Sequence, residues 1–236
     1  MKKGWWVYCS SILLILACSN KAGTPQPQPE TYKPPVVSST FAKGADISWV
    51  TQMESAGVKF YDKAGKQQDL FVLMKSLGFN SIRLRAWVNP ADGWCNTADL
   101  VAKALRAKSA GMKIMIDLHY SDSWADPGKQ YKPAAWASLN FATLTTSLHD
   151  YTVSVMNTLK TNGITPDWVQ VGNETNDGML WEDGRASKKM ANFAALIKAG
   201  YSAVKSVSST TKVIVHISNG FDNSLFRWMF DGLKAN

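Results

Sequence analysis

Five short apolar runs punctuate the chain, at residues 42–48, 81–87, 113–120, 168–173 and 212–218. Their length and their Val, Ile, Leu and Trp content predict strands. After each comes a stretch whose apolar positions recur three and four residues apart, as on one face of a helix. Leu70, Phe71, Leu73, Met74 and Leu77 form the first such face, behind a polar loop, with Gly78 as its stop. Thr97 is placed to cap the second, which carries Leu100, Val101, Ala104 and Leu105 and ends at Gly111. Leu144, Leu148, Tyr151, Val155 and Leu159 form the third, ending near Gly163. Met190, Phe193, Ile197, Tyr201 and Val204 form the fourth, and Leu225, Phe226, Met229, Phe230 and Leu233 the fifth. Strict alternation of strand and helix predicts an α/β fold, a parallel sheet with crossover helices.

Successive side chains of a strand face opposite sides, so parity separates an open doubly wound sheet from a barrel. Ile82 and Leu84 oppose Arg83, Arg85 and Trp87, while Ile116 and Leu118 oppose Asp117 and His119. Val169 and Val171 oppose Gln170; Val213, Val215 and Ile217 oppose His216 and Ser218; Asp46 and Ser48 share one parity. One face is aliphatic and suits helix packing. The other gathers charge and imidazole toward the C-terminal strand ends. A doubly wound sheet carries helices on both faces and is apolar on both. The split therefore predicts a (β/α)8 TIM barrel with a polar mouth, the place where barrel enzymes do their chemistry. No glycine-rich phosphate loop follows the first strand, which weakens a nucleotide reading. Residues 41–236 hold five units, whereas a complete barrel takes about 250 residues. The expectation is a barrel truncated after about five βα units, with the first and fifth strands as open edges.

The first 40 residues stand apart. Lys2 and Lys3 precede a largely apolar run from Trp5 to Ala17, too short to span a membrane and patterned as a secretory signal. Residues 14–18, Leu-Ile-Leu-Ala-Cys, resemble the lipobox of bacterial lipoproteins. The resemblance implies removal of residues 1–17, lipid on Cys18, and an exported protein anchored at a membrane, periplasmic or at the cell surface. Residues 18–40 include Pro25, Pro27, Pro29, Pro34 and Pro35 among Gln and Ser, the composition of an extended tether. The folded domain is then 41–236. Of three cysteines only Cys95 falls inside it, so no disulfide is available there and the domain depends on its apolar core. The formal net charge is +8, but Lys and Arg are scattered without a run of five, which argues against a nucleic-acid partner. No zinc-ligand spacing occurs.

The most informative chemistry lies in residues 169–174, Val-Gln-Val-Gly-Asn-Glu. An apolar strand there ends in an amide and a carboxylate, which suits Glu174 to general-acid work. Glycoside hydrolysis needs two carboxylates, so the partner of Glu174 becomes the question. Asp46, Arg85, His119 and His216 lie on the polar parity near it. Trp87, Trp124 and Trp181 sit on or just after strand ends, where an aromatic face can stack on a pyranose. Trp136, Trp168 and Trp228 read equally well as packing.

Four runs carry a resemblance to a known family. They are residues 43–48 (Lys-Gly-Ala-Asp-Ile-Ser), 82–90 (Ile-Arg-Leu-Arg-Ala-Trp with Asn89-Pro90), 117–129 (Asp-Leu-His-Tyr-Ser-Asp-Ser-Trp-Ala-Asp-Pro-Gly-Lys) and 169–174. Together they resemble family 53 glycoside hydrolases, the arabinogalactan endo-β-1,4-galactanases. The resemblance implies a retaining (β/α)8 enzyme of the polysaccharide-degrading kind, in which Glu174 is the acid/base. It places Asn173 on the sugar 2-hydroxyl, and Arg85, ahead of Arg83, at the nucleophile. That nucleophile is a glutamate at the end of a seventh strand, which this chain is expected to lack. No cofactor is implied, although some relatives bind calcium late in the barrel. The implied partner is galactan or arabinogalactan, bound by a protein that is monomeric when complete. Two alternatives remain: an inactive or binding-only remnant, and another clan endoglycanase such as a mannanase or cellulase.

Overall fold

In the computed structural model, residues 41–236 are described. The expected signal segment, the lipid site at Cys18 and the Pro-rich tether lie outside them. All five expected strands form: β1 (Gly44–Asp46), β4 (Ser81–Ala86), β5 (Lys113–Leu118), β6 (Trp168–Val171) and β7 (Lys212–Ile214). They make one all-parallel sheet in the order β1-β4-β5-β6-β7. Each strand thus pairs with the next member of the repeat, as in a barrel wall and unlike the reversed order of a doubly wound sheet. Each of the five ends earlier than its apolar run, because the chain breaks its ladder to carry side chains into the mouth. Gly44 makes the first pairing possible. A Cβ there would stand 2.9 Å from the Ser81 carbonyl oxygen, inside contact distance.

The helices are α2 (Leu70–Ser76), α3 (Thr97–Ser109), α4 (Phe141–Thr161), α5 (Ala186–Val207) and α6 (Asn223–Ala235). The second is capped by Asn96 and not by Thr97: the Asn96 side chain accepts from the Asp99 amide at 2.9 Å. An Asn in extended conformation satisfies an otherwise unpaired amide of the first turn, so the cap falls one residue earlier. Asp69, Asn140 and Asp222 cap α2, α4 and α6 in the same way.

The stretch between the first strand and the first expected helix is not merely loop. It holds a short helix α1 (Val50–Ser55) and a two-stranded antiparallel hairpin, β2 (Phe60–Tyr61) with β3 (Gln67–Gln68). Asp62 closes the hairpin by accepting from the Ala64 and Lys66 amides. Elements this short carry no periodicity to read.

The core lies between the aliphatic sheet face and the helices. Ile82, Leu84, Ile116, Leu118, Val169 and Val171 are fully buried against Leu100 and Ala104 of α3, Leu144 and Leu148 of α4, and Phe193 and Leu196 of α5. Each such side chain contributes about 1.5–3 kcal/mol. The face of α5 is rotated from the expected one. Tyr201 is 51% exposed, and Leu196, Ala203 and Val204 take the inward stripe with Phe193. Among the described residues no helix is long and apolar enough to cross a membrane.

Candidate active site

The site grows from the end of β6. At Gly172 the backbone turns to φ +83, and a Cβ there would fall 2.6 Å from the Thr175 methyl and 2.9 Å from the Met179 sulfur. Only glycine meets both demands. The turn delivers Asn173, 5% exposed, and then Glu174, which itself adopts the left-handed conformation at φ +47.

Asn173 is held on every side. Its Nδ2 donates to the Ala125 carbonyl at 2.8 Å, and its Oδ1 accepts from Arg83 Nη2 at 2.8 Å and from Gln170 Nε2 at 3.2 Å. One amide hydrogen remains for a ligand. Arg83 is the hub of this network. Its guanidinium reaches Asp46 at 2.6 Å, Asp117 at 2.7 Å and the Gln170 Oε1 at 3.2 Å. Asp117 is fully buried and also accepts from His119 Nε2 at 2.8 Å and from Gln170. Burying a carboxylate is costly unless it is hydrogen-bonded this fully. Asp46 likewise accepts from the Ser48 hydroxyl and amide. Burial pushes its pKa up, but the Ser48 bonds and Arg83 outweigh burial and hold it below the ordinary aspartate range.

The two histidines are oriented by these bonds. Nδ1 of His119 accepts from the Trp87 indole and from the Ala125 amide, both at 3.2 Å, so the proton sits on Nε2 and points at Asp117. Nδ1 of His216 accepts the Glu174 amide hydrogen at 3.1 Å and also lies 3.1 Å from the Asn173 Oδ1, so it stands between the two residues. Burial, aided by Arg83, holds the His216 pKa below its ordinary value and keeps the ring neutral at neutral pH.

Glu174 differs from its neighbours. Its backbone is bonded on both sides, its N–H to His216 and its carbonyl to the Asn176 amide at 2.8 Å. Its carboxylate has no hydrogen-bond partner among the described residues. Burial raises its pKa above the usual glutamate value, the Asp126 carboxylate adds to the rise, and Arg83 and His119 oppose it. A carboxyl that is free of bonds and inclined to keep its proton suits a proton donor.

The Arg85 side chain does not reach this network. Arg85 is 3% exposed, and its guanidinium lies 4.1 Å from the Trp124 ring, 4.5 Å from Trp87 and 5.2 Å from Trp49. Its Nη2 faces the Cys95 sulfur at 3.3 Å. The ion pairs with Asp46 and Asp117 are made by Arg83, while the C-terminal end of β4 carries Arg85 into the aromatic cluster. Of the tryptophans, Trp87 is buried and bonded to His119, whereas Trp124 is 39% and Trp49 49% exposed, packed edge-to-face at 5.6 Å. These two, with Asp46, Met53, Leu70, Arg83 and Arg85, line a groove of about 380 Å³. Trp181 stacks on Arg185 at 3.7 Å, and its indole donates to the Asp177 carbonyl. Trp136 is buried against Tyr151, the packing role.

The structure therefore brings Glu174, Asn173, Asp46, His119 and His216 together, with Trp87 and Trp124 beside them. Sequence reading underrated Arg83 and missed Gln170, Gln130 and Trp49. Gln170 shared the parity of Asp117 in an otherwise aliphatic strand, a signal that was present. Gln130 and Trp49 lie outside the strands and had none. Among the described residues no three His, Cys, Asp or Glu side chains are grouped so as to hold a metal ion.

Comparison with known proteins gives a consistent result. The family model described as glycosyl hydrolase family 53 matches residues 42–236. An uncharacterised protein from Niallia circulans is 43% identical over 202 residues, covering 83% of this chain and 55% of its own length. An arabinogalactan endo-β-1,4-galactanase from Thermothelomyces thermophilus is 40% identical over 190 residues, covering 80% and 57%. A solved structure from a study of two fungal β-1,4-galactanases superposes with a TM-score of 0.78 at 39% identity, covering 81% of this chain and 58% of that one. The chain thus spans 55–58% of the length of these relatives.

Proposed function

This chain belongs to glycosyl hydrolase family 53, and from that premise we propose that the protein cleaves β-1,4-galactan internally, with retention, using Glu174 as acid/base. The observation that carries the proposal is the environment of Glu174. It is the site carboxylate without a hydrogen-bond partner among the described residues, its pKa is raised, and it follows an Asn held by a buried ionic network. Glu174 donates its proton to the leaving glycosidic oxygen and later takes one from the incoming water. Asn173 offers its remaining amide hydrogen to the sugar 2-hydroxyl.

Retention needs a second carboxylate about 5–5.5 Å from the first. Asp117 is committed to Arg83, His119 and Gln170, and Asp46 to Arg83 and Ser48. Asp122 accepts from the Asn89 and Ala134 amides, and Asp126 from the Gly128 amide with Lys129 beside it. None of these is left free as a nucleophile. We assign that role to a carboxylate on strands that would continue the sheet beyond β1 and β7. The Trp49–Trp124 groove then serves galactosyl units, with Trp87 buried behind it.

The wider reading is an exported lipoprotein, attached to a bacterial membrane through Cys18 and acting as a monomer on galactan or arabinogalactan without a cofactor. The test of the central claim is hydrolysis of β-1,4-galactan by the full-length protein. Glu174→Gln is expected to lower kcat by about 10²–10⁴-fold, and NMR of the first product should show the β-anomer. Full activity in Glu174→Gln, or the α-anomer first, would sink the assignment.

A further inference from the structure

Glu174 holds a backbone conformation that costs a non-glycine residue energy and persists only where its surroundings over-determine it. Something must keep it there. Besides His216, which accepts the Glu174 amide hydrogen, one side chain from the loop after β5 meets the backbone at that point. Gln130, 2% exposed, lies after β5, and its Nε2 donates to the Asn173 carbonyl at 2.8 Å and faces the Glu174 carbonyl at 3.3 Å and the Asp126 carbonyl at 3.1 Å. Its Oε1 is buried without a partner. The amide cannot turn over, because that would set Oε1 against three carbonyl oxygens. The Gln130 backbone carbonyl also accepts from the Trp181 amide at 2.8 Å.

We propose that Gln130 is a positioning residue for Glu174, its buried carboxamide clamping the Asn173–Glu174 backbone so that the acid/base carboxyl faces the scissile bond. The proposal builds on the acid/base reading of Glu174. An orphaned buried acceptor is tolerated here because the donor end of the same amide does the holding. The clamp joins the loop after β5 to the loop after β6, so it also sets how near Asp126 stands to Glu174. The titratable and charged groups that face Glu174 are Asp126, Arg83, His119 and Asp117; of these Asp126 is the one whose backbone Gln130 holds.

The test compares Gln130→Met, which keeps the bulk and removes the donor, with Gln130→His, whose ring N–H reaches about as far. In the full-length protein, Gln130→Met should lower kcat on β-1,4-galactan by about 10–100-fold, the scale of a misplaced catalytic group, with KM changed by less than about threefold. Activity on 2,4-dinitrophenyl β-galactobioside, whose leaving group needs no proton, should change little when azide replaces water as a nucleophile that needs no base. Gln130→His should recover most of the loss on galactan. Equal losses on both substrates, or no loss on either, would overturn the inference. If the parent protein fails to cleave galactan, the proposed function fails, and ¹³C-carboxyl titration of Glu174 decides the inference by itself. Its midpoint should fall toward the ordinary glutamate value in Gln130→Met and stay raised in Gln130→His, and an unchanged midpoint in Gln130→Met overturns it.

Discussion

At the scale of single residues, the site is governed by which carboxylates have partners. Asp117 is buried and triply bonded, Asp46 is bonded and lowered, and Glu174 is unbonded and raised. A raised folded pKa means that Glu174 contributes no penalty below its unfolded value near 4.5, and that stability is lost as pH rises from there through the folded pKa. Glu174→Gln should therefore match the parent in thermal unfolding at pH 4 and exceed it at pH 8. In the proposed reaction the same pKa sets the alkaline limb, since a donor must be protonated, so kcat/KM on galactan should fall as pH passes through it. Arg83 presents the opposite case. Arg83→Met leaves a fully buried Asp117 short of its cation, and because Arg83 is itself a quarter exposed the loss belongs at the low end of such deletions, about 3 kcal/mol. Urea unfolding measures it, and a loss below about 0.5 kcal/mol would mean that His119 and Gln170 suffice. Parity alone made Asp46, Asp117, His119 and His216 readable as one group. It could not rank Arg83 against Arg85, because both point to the same side and only the path of β4 into the tryptophan cluster separates them.

At the scale of elements, periodicity was a reliable guide wherever an element was long. All five expected strands and all five expected helices form, since burying one face dominates their energy, although Leu77, Leu105 and Phe230 of the expected faces are exposed. The departures are local. Asn96 replaces Thr97 as the cap of α3, Tyr201 faces outward on α5, and α1 with the β2–β3 hairpin fills a stretch that had shown only polarity. A hydrogen bond, a small rotation or a two-residue ladder decides these, and none leaves a repeat in the sequence. The turn after β6 is the element on which the site depends most. Gly172→Ala places a Cβ in contact with Thr175 and Met179 at a positive φ, which should cost about 1–3 kcal/mol. Activity on galactan should fall more than stability predicts, because Asn173 and Glu174 lie immediately beyond the turn. Wild-type kcat together with a lowered unfolding midpoint would show that the turn supports the fold alone.

At the scale of the molecule, five βα units form one parallel sheet whose outer strands β1 and β7 each have a single partner among the described residues. The polar face gathers the reactive groups at one end and the helices cover the other face, which is the arrangement of a barrel wall. The proposed anchor belongs to this scale as well. Cys18→Ala should abolish incorporation of labelled palmitate and move the protein from the membrane to the soluble fraction. Absence of label in the parent would remove the lipoprotein reading and leave the proposed catalytic role untouched. By itself the sequence determined the α/β repeat, the sidedness of the sheet, the family and the choice of Glu174 and Asn173 as candidates. Those follow from period-two and period-3.6 burial and from contiguous motifs, which are local properties of a chain. Only the tertiary structure decided that Arg83 is the hub, that Arg85 is sheathed in tryptophan, and that Gln130 meets Glu174 from a loop 44 residues away. Those are contacts between distant segments, set by register and loop path, and no spacing along the chain encodes them.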